Sequence, residues 1–267
     1  MQLIDGAKNV AFWNCVAQRS SPGYGAFAGM LMQGREFEAL YRCQAEQEHF
    51  LRLFTPTKEA RILEVGSGGG RWGFWLADRV GDYVGVDLSP GMVAIAEAER
   101  TQRRLSNVRF ECVDLLDFNG RGQFDLVYFS GVLQYMDDAV VRQCIEKAGS
   151  LLPDGGVIIS RDTVQKARRV EKTGEYPVIY RLASEYVALF AAAGYHLKYS
   201  DVSYPHKRFS GVAARFYQVP GVTYGMAYTL REVLCRIDNV LGRPSSLRSH
   251  KHGDNPQEHC FFKYARD

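Results

Sequence analysis

Three acidic residues stand at or near the ends of short apolar segments in the first half of the chain, and a glycine-rich stretch follows the first of them. The acids are Glu64, Asp87 and Asp114, and the glycines lie in Gly66–Gly70. A carboxylate can accept hydrogen bonds from both hydroxyls of a ribose. Glycines let the backbone approach a ligand closely, because they have no Cβ. This set of residues therefore predicts a nucleoside-binding site.

Short apolar segments alternate with helical patterns around these residues. The predicted strands are Arg61–Val65, Tyr83–Val86, Val108–Val113, Phe124–Phe129 and Val157–Ser160. Such alternation is typical of an α/β, doubly wound, mostly parallel sheet with right-handed crossovers. In that fold ligands bind outside the carboxyl ends of the strands. The three acids should therefore meet at one edge of the sheet.

The glycine stretch alone leaves two interpretations open. Residues 68–73 fit the GxGxxG pattern of dinucleotide-binding proteins, but this register begins two residues late. In the register that begins at Gly66, the third glycine position holds Arg71. No Lys-Ser or Lys-Thr pair follows the glycines, which excludes a phosphate-binding P-loop. The later acids, Asp87 and Asp114, favour a nucleoside site over either alternative.

Five segments in this order resemble the motifs of the class I S-adenosylmethionine-dependent methyltransferases. They are Glu64–Gly70, Gly85–Ser89, Glu111–Asp114, Phe124–Tyr135 and Leu151–Gly156. The resemblance covers roughly residues 58–204. It implies a Rossmann-like sheet of seven strands whose last strand is antiparallel, a place that Glu258–Tyr264 can fill. It also implies that the chain is an enzyme with S-adenosylmethionine as cofactor and S-adenosylhomocysteine as product.

The resemblance also implies roles for individual residues at the cofactor. Asp87 would hold the ribose, and Asp114 with Leu115 would frame the adenine. Leu88 is also expected to contact the cofactor. The residues expected near the rest of the cofactor are Glu64, Gly66, Ser67, Gly68, Gly70, Met92 and Ser130. Arg42 could reach the cofactor carboxylate or stand in solvent. Many relatives have histidine at the position of Gln134, so acid–base work at this position stays open.

The acceptor site should come from residues outside the cofactor motifs. The predicted substrate-binding residues are Gln134, Tyr135, Arg161, Tyr180 and Arg181. Asp162 and His250 are the candidate catalytic groups, although Arg161-Asp162 could form a surface ion pair and residues 250–252 a surface loop. Methyl transfer needs a base only when the acceptor arrives protonated. The six histidines show no metal-binding spacing, so no metal is expected.

Charge is unevenly distributed along the chain. Residues 198–251 contain nine Lys and Arg against three acids, so the rest of the chain is slightly acidic, whereas the overall net charge is only +3. We divide the chain into an N-terminal helical lid (1–57), the cofactor-binding core (58–204), a basic insertion (205–257) and a final strand (258–267). The insertion is predicted to cover an anionic or aromatic acceptor, with a solvated basic face as the alternative. No nucleic-acid-binding module accompanies the charge, which argues against that partner.

Composition places the chain among ordinary globular proteins, with 46% hydrophobic and 24% charged residues over 267 positions. The six cysteines form no CxxC pair and are expected to be free thiols of a cytoplasmic protein. No signal peptide is evident, and the longest apolar stretch, about ten residues, is too short to span a membrane. We expect O-methylation of a small hydroxylated natural product or sugar derivative. N-methylation of an amine or peptide terminus, and a non-catalytic adenosyl- or partner-binding module, are the alternatives.

Overall fold

The computed structural model describes residues 3–20, 25–32, 36–120, 123–202 and 257–266, with residues 230, 233 and 237. Within the five continuous ranges, the α-helices are α1 (Gly6–Arg19), α2 (Glu36–Leu53), α3 (Arg71–Leu76), α4 (Pro90–Gln102), α5 (Asp138–Ser150) and α6 (Ala183–Ala192). Two short 3-10 helices span Gly25–Met30 and Leu133–Tyr135. The predicted basic insertion, including His250, falls almost entirely outside the described residues.

Within the described residues the strands are β1 (Arg61–Val65), β2 (Asp82–Asp87), β3 (Val108–Cys112), β4 (Leu126–Ser130), β5 (Val157–Gln165), β6 (Val170–Lys172), β7 (Val178–Leu182), β8 (His196–Val202) and β9 (Gln257–Ala265). The main sheet has the order β3-β2-β1-β4-β5-β9-β8, and β1 to β5 pair in parallel. Strand β9 is antiparallel to both of its neighbours. The predicted mostly parallel sheet with an antiparallel last strand is confirmed.

Strands β6 and β7 form a pair that the sequence analysis did not predict. They pair antiparallel, and β7 also pairs in parallel with the last two residues of β5, Val164 and Gln165. Strand β6 is only three residues long, too short to give a recognisable alternation. The pair extends the sheet beyond the carboxyl end of β5, beside the region where the acceptor was expected.

Alternate residues of the central strands enter two different cores, as expected for strands that are covered on both faces. On one face Leu63 and Val127 pack against Ile145 of α5 and Phe190 of α6. On the other face the neighbouring positions of the same strands pack against residues of α2, α3 and α4, which include Phe50, Trp72, Leu76 and Ala96. The sheet is therefore a rigid platform, and its carboxyl edge carries the acids.

Several helix boundaries coincide with residue types that commonly begin or end helices. Ser89 precedes α4, its Oγ accepts a hydrogen bond from the N–H of Met92 (3.2 Å), and Pro90 occupies the first turn. Gly194, with φ 78°, follows the end of α6. Helix α3 is short and ends at Leu76.

The structure bears on two further expectations, the state of the cysteines and the lack of a membrane-spanning helix among the described residues. The described cysteines, at positions 15, 43, 112, 144 and 260, are unpaired thiols. Among the helices that the structure describes, none combines the length and the apolar character needed to cross a bilayer.

Candidate functional site

A cavity of about 570 Å³ opens at the carboxyl edge of the sheet. Its walls are the glycine stretch after β1, the ends of β2, β4 and β5, and the N-terminal helix α1. Fifteen predicted site residues line it: Arg42, Glu64, Gly66, Ser67, Gly68, Asp87, Leu88, Met92, Asp114, Leu115, Ser130, Gln134, Tyr135, Arg161 and Tyr180. The structure thus brings together residues that lie more than 130 positions apart in the sequence.

The glycine stretch forms a tight turn that Asp87 holds in place. Gly66 and Gly68 have φ angles of 78° and 51°, values that favour glycine. The Asp87 carboxylate accepts hydrogen bonds from the N–H of Gly68 and from the N–H of Ser89, both at 2.8 Å. Apart from Gly68 and its two neighbours in sequence, no atom of the described residues lies within 4 Å of the point where a Gly68 Cβ would stand. The turn therefore leaves its backbone open to a ligand.

Burial controls the charge of Asp87 and, more strongly, of Glu64. Burial raises the pKa of Asp87, although the N–H groups of Ser89 and Gly68 oppose the rise. Glu64 is fully buried, and burial raises its pKa to about 7, against hydrogen bonds from Tyr83 and Ser130. The Tyr83 hydroxyl donates to Glu64 Oε2. Glu64 is thus a carboxyl group in the cavity wall that changes charge near neutral pH.

Helix α1 lies across the cavity and is held by polar contacts at both ends. Near its start, the N–H groups of Leu3 and Ile4 donate to the Asp137 carboxylate at 3.1 and 3.2 Å. Near its end, Asn14 Oδ1 accepts from Ser89 Oγ (2.8 Å) and from the N–H of Gly91 (2.9 Å). These contacts join the N-terminal segment to the start of α4 and α5, so α1 forms part of the site.

The 3-10 helix that follows α1 packs directly on the glycine turn. A Cβ on Gly69 would lie 2.1 Å from the carbonyl oxygen of Gly25, a clash between backbones that only glycine avoids. Gly69 lines the cavity, whereas Gly70, a predicted cofactor residue, does not. A Cβ on Gly70 would meet Phe74 and Phe110 instead, so close packing under the turn explains the glycine at this position.

Aromatic and polar side chains surround the far end of the cavity. The Tyr135 hydroxyl accepts a hydrogen bond from Gln134 Nε2 (2.7 Å) and shares another with the Tyr176 hydroxyl. The ring of Trp13, on α1, meets Tyr135 edge-on at 5.8 Å between centroids. Tyr180 lies on β7 and also faces the cavity.

Two predicted acceptor-side residues lie outside the cavity lining, which argues against their predicted roles. Asp162 is fully buried and follows Arg161 on β5, so its side chain points to the opposite face of the sheet. Burial raises its pKa to about 7, but it has no path to a ligand in this cavity. Arg181 is fully buried and binds Asp138 and two backbone carbonyls instead of solvent or substrate.

Known proteins are similar to this chain over the segment that contains most of these site residues. A profile for the methyltransferase domain matches residues 62–156, from β1 to the turn before β5. The ubiquinone biosynthesis O-methyltransferase of Azorhizobium caulinodans is 29% identical over 150 residues, which cover 55% of this chain and 55% of that protein. The profile and this relative support a class I S-adenosylmethionine-dependent methyltransferase domain in this part of the chain.

Other methyltransferases match over shorter fractions of their own length. Phosphoethanolamine N-methyltransferase 1 of Arabidopsis thaliana is 26% identical over 54% of this chain and 30% of that protein. The chain spans about half or less of the length of the first curated relatives that it matches. Among solved structures, the [4+2]-cyclase SpnF superposes with a TM-score of 0.58 at 18% identity, over 82% of this chain and 79% of that one. That likeness shows the shared fold.

The residues that line the cavity fit S-adenosylmethionine, the cofactor of this domain family. The open backbone at Gly68 offers close approach, and the acids at the ends of β1, β2 and β3 line the same cavity. Several lining residues carry a buried polar atom without a hydrogen-bond partner within the described residues, among them Ser67 Oγ and Gln134 Oε1. Buried polar atoms are normally paired, so a polar ligand is the natural partner of both.

The sequence analysis missed several residues of this methyltransferase site. Asn14 and Trp13 lie on α1, where no motif marks them. Glu46 and Arg71 join Arg42 and Arg161 in a buried cluster behind the cavity wall. The charged residues of α2 are visible in the sequence. The sequence does not show, however, that Glu46 of this helix pairs with Arg161 of a strand 115 residues later.

Proposed function

We propose that this chain transfers the methyl group of S-adenosylmethionine to a small-molecule acceptor by in-line displacement. The observation that carries the proposal is the convergence of Glu64, Asp87, Asp114 and the open glycine turn on one cavity. The same cavity continues past β5 to Arg161, Thr163 and His259, which leaves room for an acceptor beside the cofactor.

In this proposal each end of the cofactor has its own contacts. Asp87 receives the ribose hydroxyls, and Asp114 with Leu115 frames the adenine. Glu64 faces the ammonium group, and Arg42, whose Nε is held 2.9 Å from Glu46 Oε1, faces the carboxylate. When bound, S-adenosylmethionine supplies a methyl group on a sulfonium, and the thioether that remains is a good leaving group.

The protein's main contribution to such a displacement is alignment of the two reactants, which can account for several kcal/mol of the barrier. Ser130 and Gly131, at the end of β4, stand between the proposed cofactor and acceptor regions. Helix α1 covers the cavity and would exclude water when both ligands are bound. We assign the basic insertion 205–257, including His250, to the acceptor side, and the unpaired thiols are consistent with a cytoplasmic protein.

Asp87→Ala is expected to weaken the binding of S-adenosylhomocysteine by about 1–3 kcal/mol, because charged hydrogen bonds of this kind are lost. Isothermal titration calorimetry measures the effect. Asp82→Ala is the matched control, since Asp82 begins the same strand at its opposite end and pairs with Arg61 and Arg109 away from the cavity. Equal affinities of the Asp87 and Asp82 variants would contradict the ribose role.

The acceptor and the atom methylated require a separate experiment. A screen with methyl-labelled S-adenosylmethionine would compare hydroxylated small molecules with amines and peptide N-termini. We expect transfer to a hydroxyl group, identified by mass spectrometry of the product. Label on nitrogen would favour the N-methyltransferase alternative. Binding of the cofactor without transfer to any acceptor would favour a non-catalytic module, a role that the fold alone does not exclude.

A further inference from the structure

Three guanidinium groups from three different elements converge on one buried carboxylate behind the cavity wall. Arg161 Nη2 and Nε lie 2.6 and 3.1 Å from Glu46 Oε1. Arg42 Nε lies 2.9 Å from the same oxygen, and Arg71 Nη2 lies 3.0 Å from Oε2. The Glu46 side chain is 0% exposed and the three arginine side chains 10–14%. We call these four residues the arginine cluster.

The arginine cluster carries more positive than negative charge. Arginine stays protonated in proteins, so one carboxylate leaves two positive charges without a partner inside the cluster. Buried charges are costly unless they are paired. All three arginines line the cavity, so an anionic ligand there can supply the missing charge. In the proposed function the cofactor carboxylate neutralises one of the two charges, at Arg42.

The second charge lies at the acceptor end of the cavity. Arg161 lies in the middle of β5, opposite Ser130 at the end of β4 and away from the acids of β2 and β3. Its Nη1 lies 3.0 Å from the point where a Gly131 Cβ would stand, so the glycine leaves this nitrogen open to the cavity. Nη1 makes no hydrogen bond within the part of the chain that the structure describes.

The lining next to Arg161 suits an anion. From β5, the segment before β7, β7 itself and β9 it consists of Arg161, Thr163, Tyr176, Tyr180, Gln257 and His259. These described residues include hydroxyl, amide and imidazole groups but no carboxylate. Thr163 Oγ1 and His259 Nδ1 lie 3.2 Å apart, so a donor-rich patch extends from the guanidinium along the strand. Two acids of the lining are already engaged: Asp137 accepts from the N–H groups of Leu3 and Ile4, and Glu64 accepts from the hydroxyls of Tyr83 and Ser130.

We propose that Arg161, held by Glu46, binds an oxyanion substituent of the methyl acceptor, a carboxylate or a phosphate. This specificity role rests on the proposed function. It divides the arginine cluster between two ligands: Arg42 serves the cofactor, and Arg161 orients the acceptor so that its nucleophilic atom faces the cofactor.

The test uses protein saturated with S-adenosylhomocysteine and two simple probes, benzoate and inorganic phosphate, titrated separately by calorimetry. We expect one of them to bind, and Arg161→Gln to weaken that binding at least tenfold while the affinity for S-adenosylhomocysteine changes less than twofold. Arg42→Gln should instead lower the affinity of the protein for S-adenosylhomocysteine. Arg103→Gln is the control, because Arg103 pairs with Glu99 on the surface of α4 and does not line the cavity.

Glu46→Gln removes the only negative charge of the arginine cluster, so circular dichroism must first show that this variant is folded. It should strengthen binding of the same probe at least threefold, a change opposite in sign to that of Arg161→Gln. The probe that binds distinguishes a carboxylate from a phosphate acceptor.

Two results would overturn the proposal. One is that the saturated protein binds neither anion, with Arg161→Gln and Arg42→Gln lowering the affinity for S-adenosylhomocysteine equally, since the cluster would then serve the cofactor alone. The other is anion binding that survives Arg161→Gln. Failure of the wild-type protein to bind S-adenosylhomocysteine would refute the proposed function. Anion binding to the free protein would then still decide whether Arg161 forms an oxyanion site.

Discussion

Arg181→Ala is expected to lower the free energy of unfolding by about 3 kcal/mol, because it leaves two buried carbonyl oxygens without a charged donor. Arg181 Nη1 donates to the carbonyl of Leu133 (2.9 Å), and Nη2 donates to that of Met136 (2.7 Å). Nε and Nη2 also donate to Asp138 Oδ1, at 2.8 and 2.6 Å. Urea denaturation followed by circular dichroism measures the change.

Arg169→Ala is the matched control for this prediction. Arg169 Nη1 donates to the same Asp138 carboxylate at 2.9 Å, but its side chain is 27% exposed and it binds no carbonyl of the 3-10 helix. An exposed ion pair contributes about 0–1 kcal/mol. If both variants lost the same stability, the carbonyl contacts of Arg181 would not be the cause.

The effect of Arg181→Ala should reach the cavity as well as the fold. Leu133 begins the 3-10 helix Leu133–Tyr135, and Met136 follows its end. This helix places Gln134 and Tyr135 in the cavity lining. We therefore propose that Arg181 positions this helix, in place of the direct contact with substrate that the sequence predicted. Arg181→Lys should recover little of the lost stability. A single ammonium group cannot replace the planar guanidinium group, which reaches Asp138 and both carbonyls.

Local patterns accounted for the part of the site that is continuous in sequence. Glu64–Gly70, Asp87 and Asp114 each follow or end a strand, and the rule that parallel strands present their carboxyl ends at one edge was enough to bring them together. The N-cap at Ser89 was visible for the same reason, since its signal lies within four residues. The antiparallel last strand came from the resemblance, because β9 is far from its neighbours in sequence.

Contacts between distant segments could not be predicted in this way. The arginine cluster joins α2 to β5. The N-terminal segment is held by the contact of Asn14 with Ser89 and of Leu3 with Asp137, and these partners lie at least 75 residues apart. Arg161 and Asp162 are neighbours in the sequence, yet the pleat of β5 sends one into the cavity and the other into the core. Burial of this kind depends on packing that a charge pattern does not reveal.

The affinity for S-adenosylhomocysteine is expected to fall on the order of 20-fold as the pH is lowered from 7.5 to 5.5, because binding must displace the proton of Glu64. Burial raises the pKa of this carboxyl group to about 7 in the free protein. The ammonium group that we place beside it favours the carboxylate and lowers that pKa. Calorimetry at several pH values, in two buffers of different ionisation enthalpy, measures both the affinity and the proton released.

Glu64→Gln separates this proton from others in the cavity. Asp87, whose pKa burial also raises, and the imidazole of His259 line the same cavity, and their contributions should persist in the variant. The pH dependence of binding should become shallow in Glu64→Gln, with weaker binding than wild type at pH 7.5. A slope that is equal in both proteins would assign the proton to another group.

In the absence of ligand, the proton on Glu64 stabilises the folded protein, whereas it opposes the binding of the cofactor. Between the ordinary pKa of 4.5 and the raised value of about 7, the native state binds more protons at Glu64 than the unfolded state does. The stability of the wild-type protein should therefore decrease relative to Glu64→Gln as the pH rises through this interval. Denaturation of both proteins at pH 5 and pH 8 tests this sign. A carboxyl group that weakens the empty protein at neutral pH and strengthens the loaded one is what a site built around a cationic ligand requires.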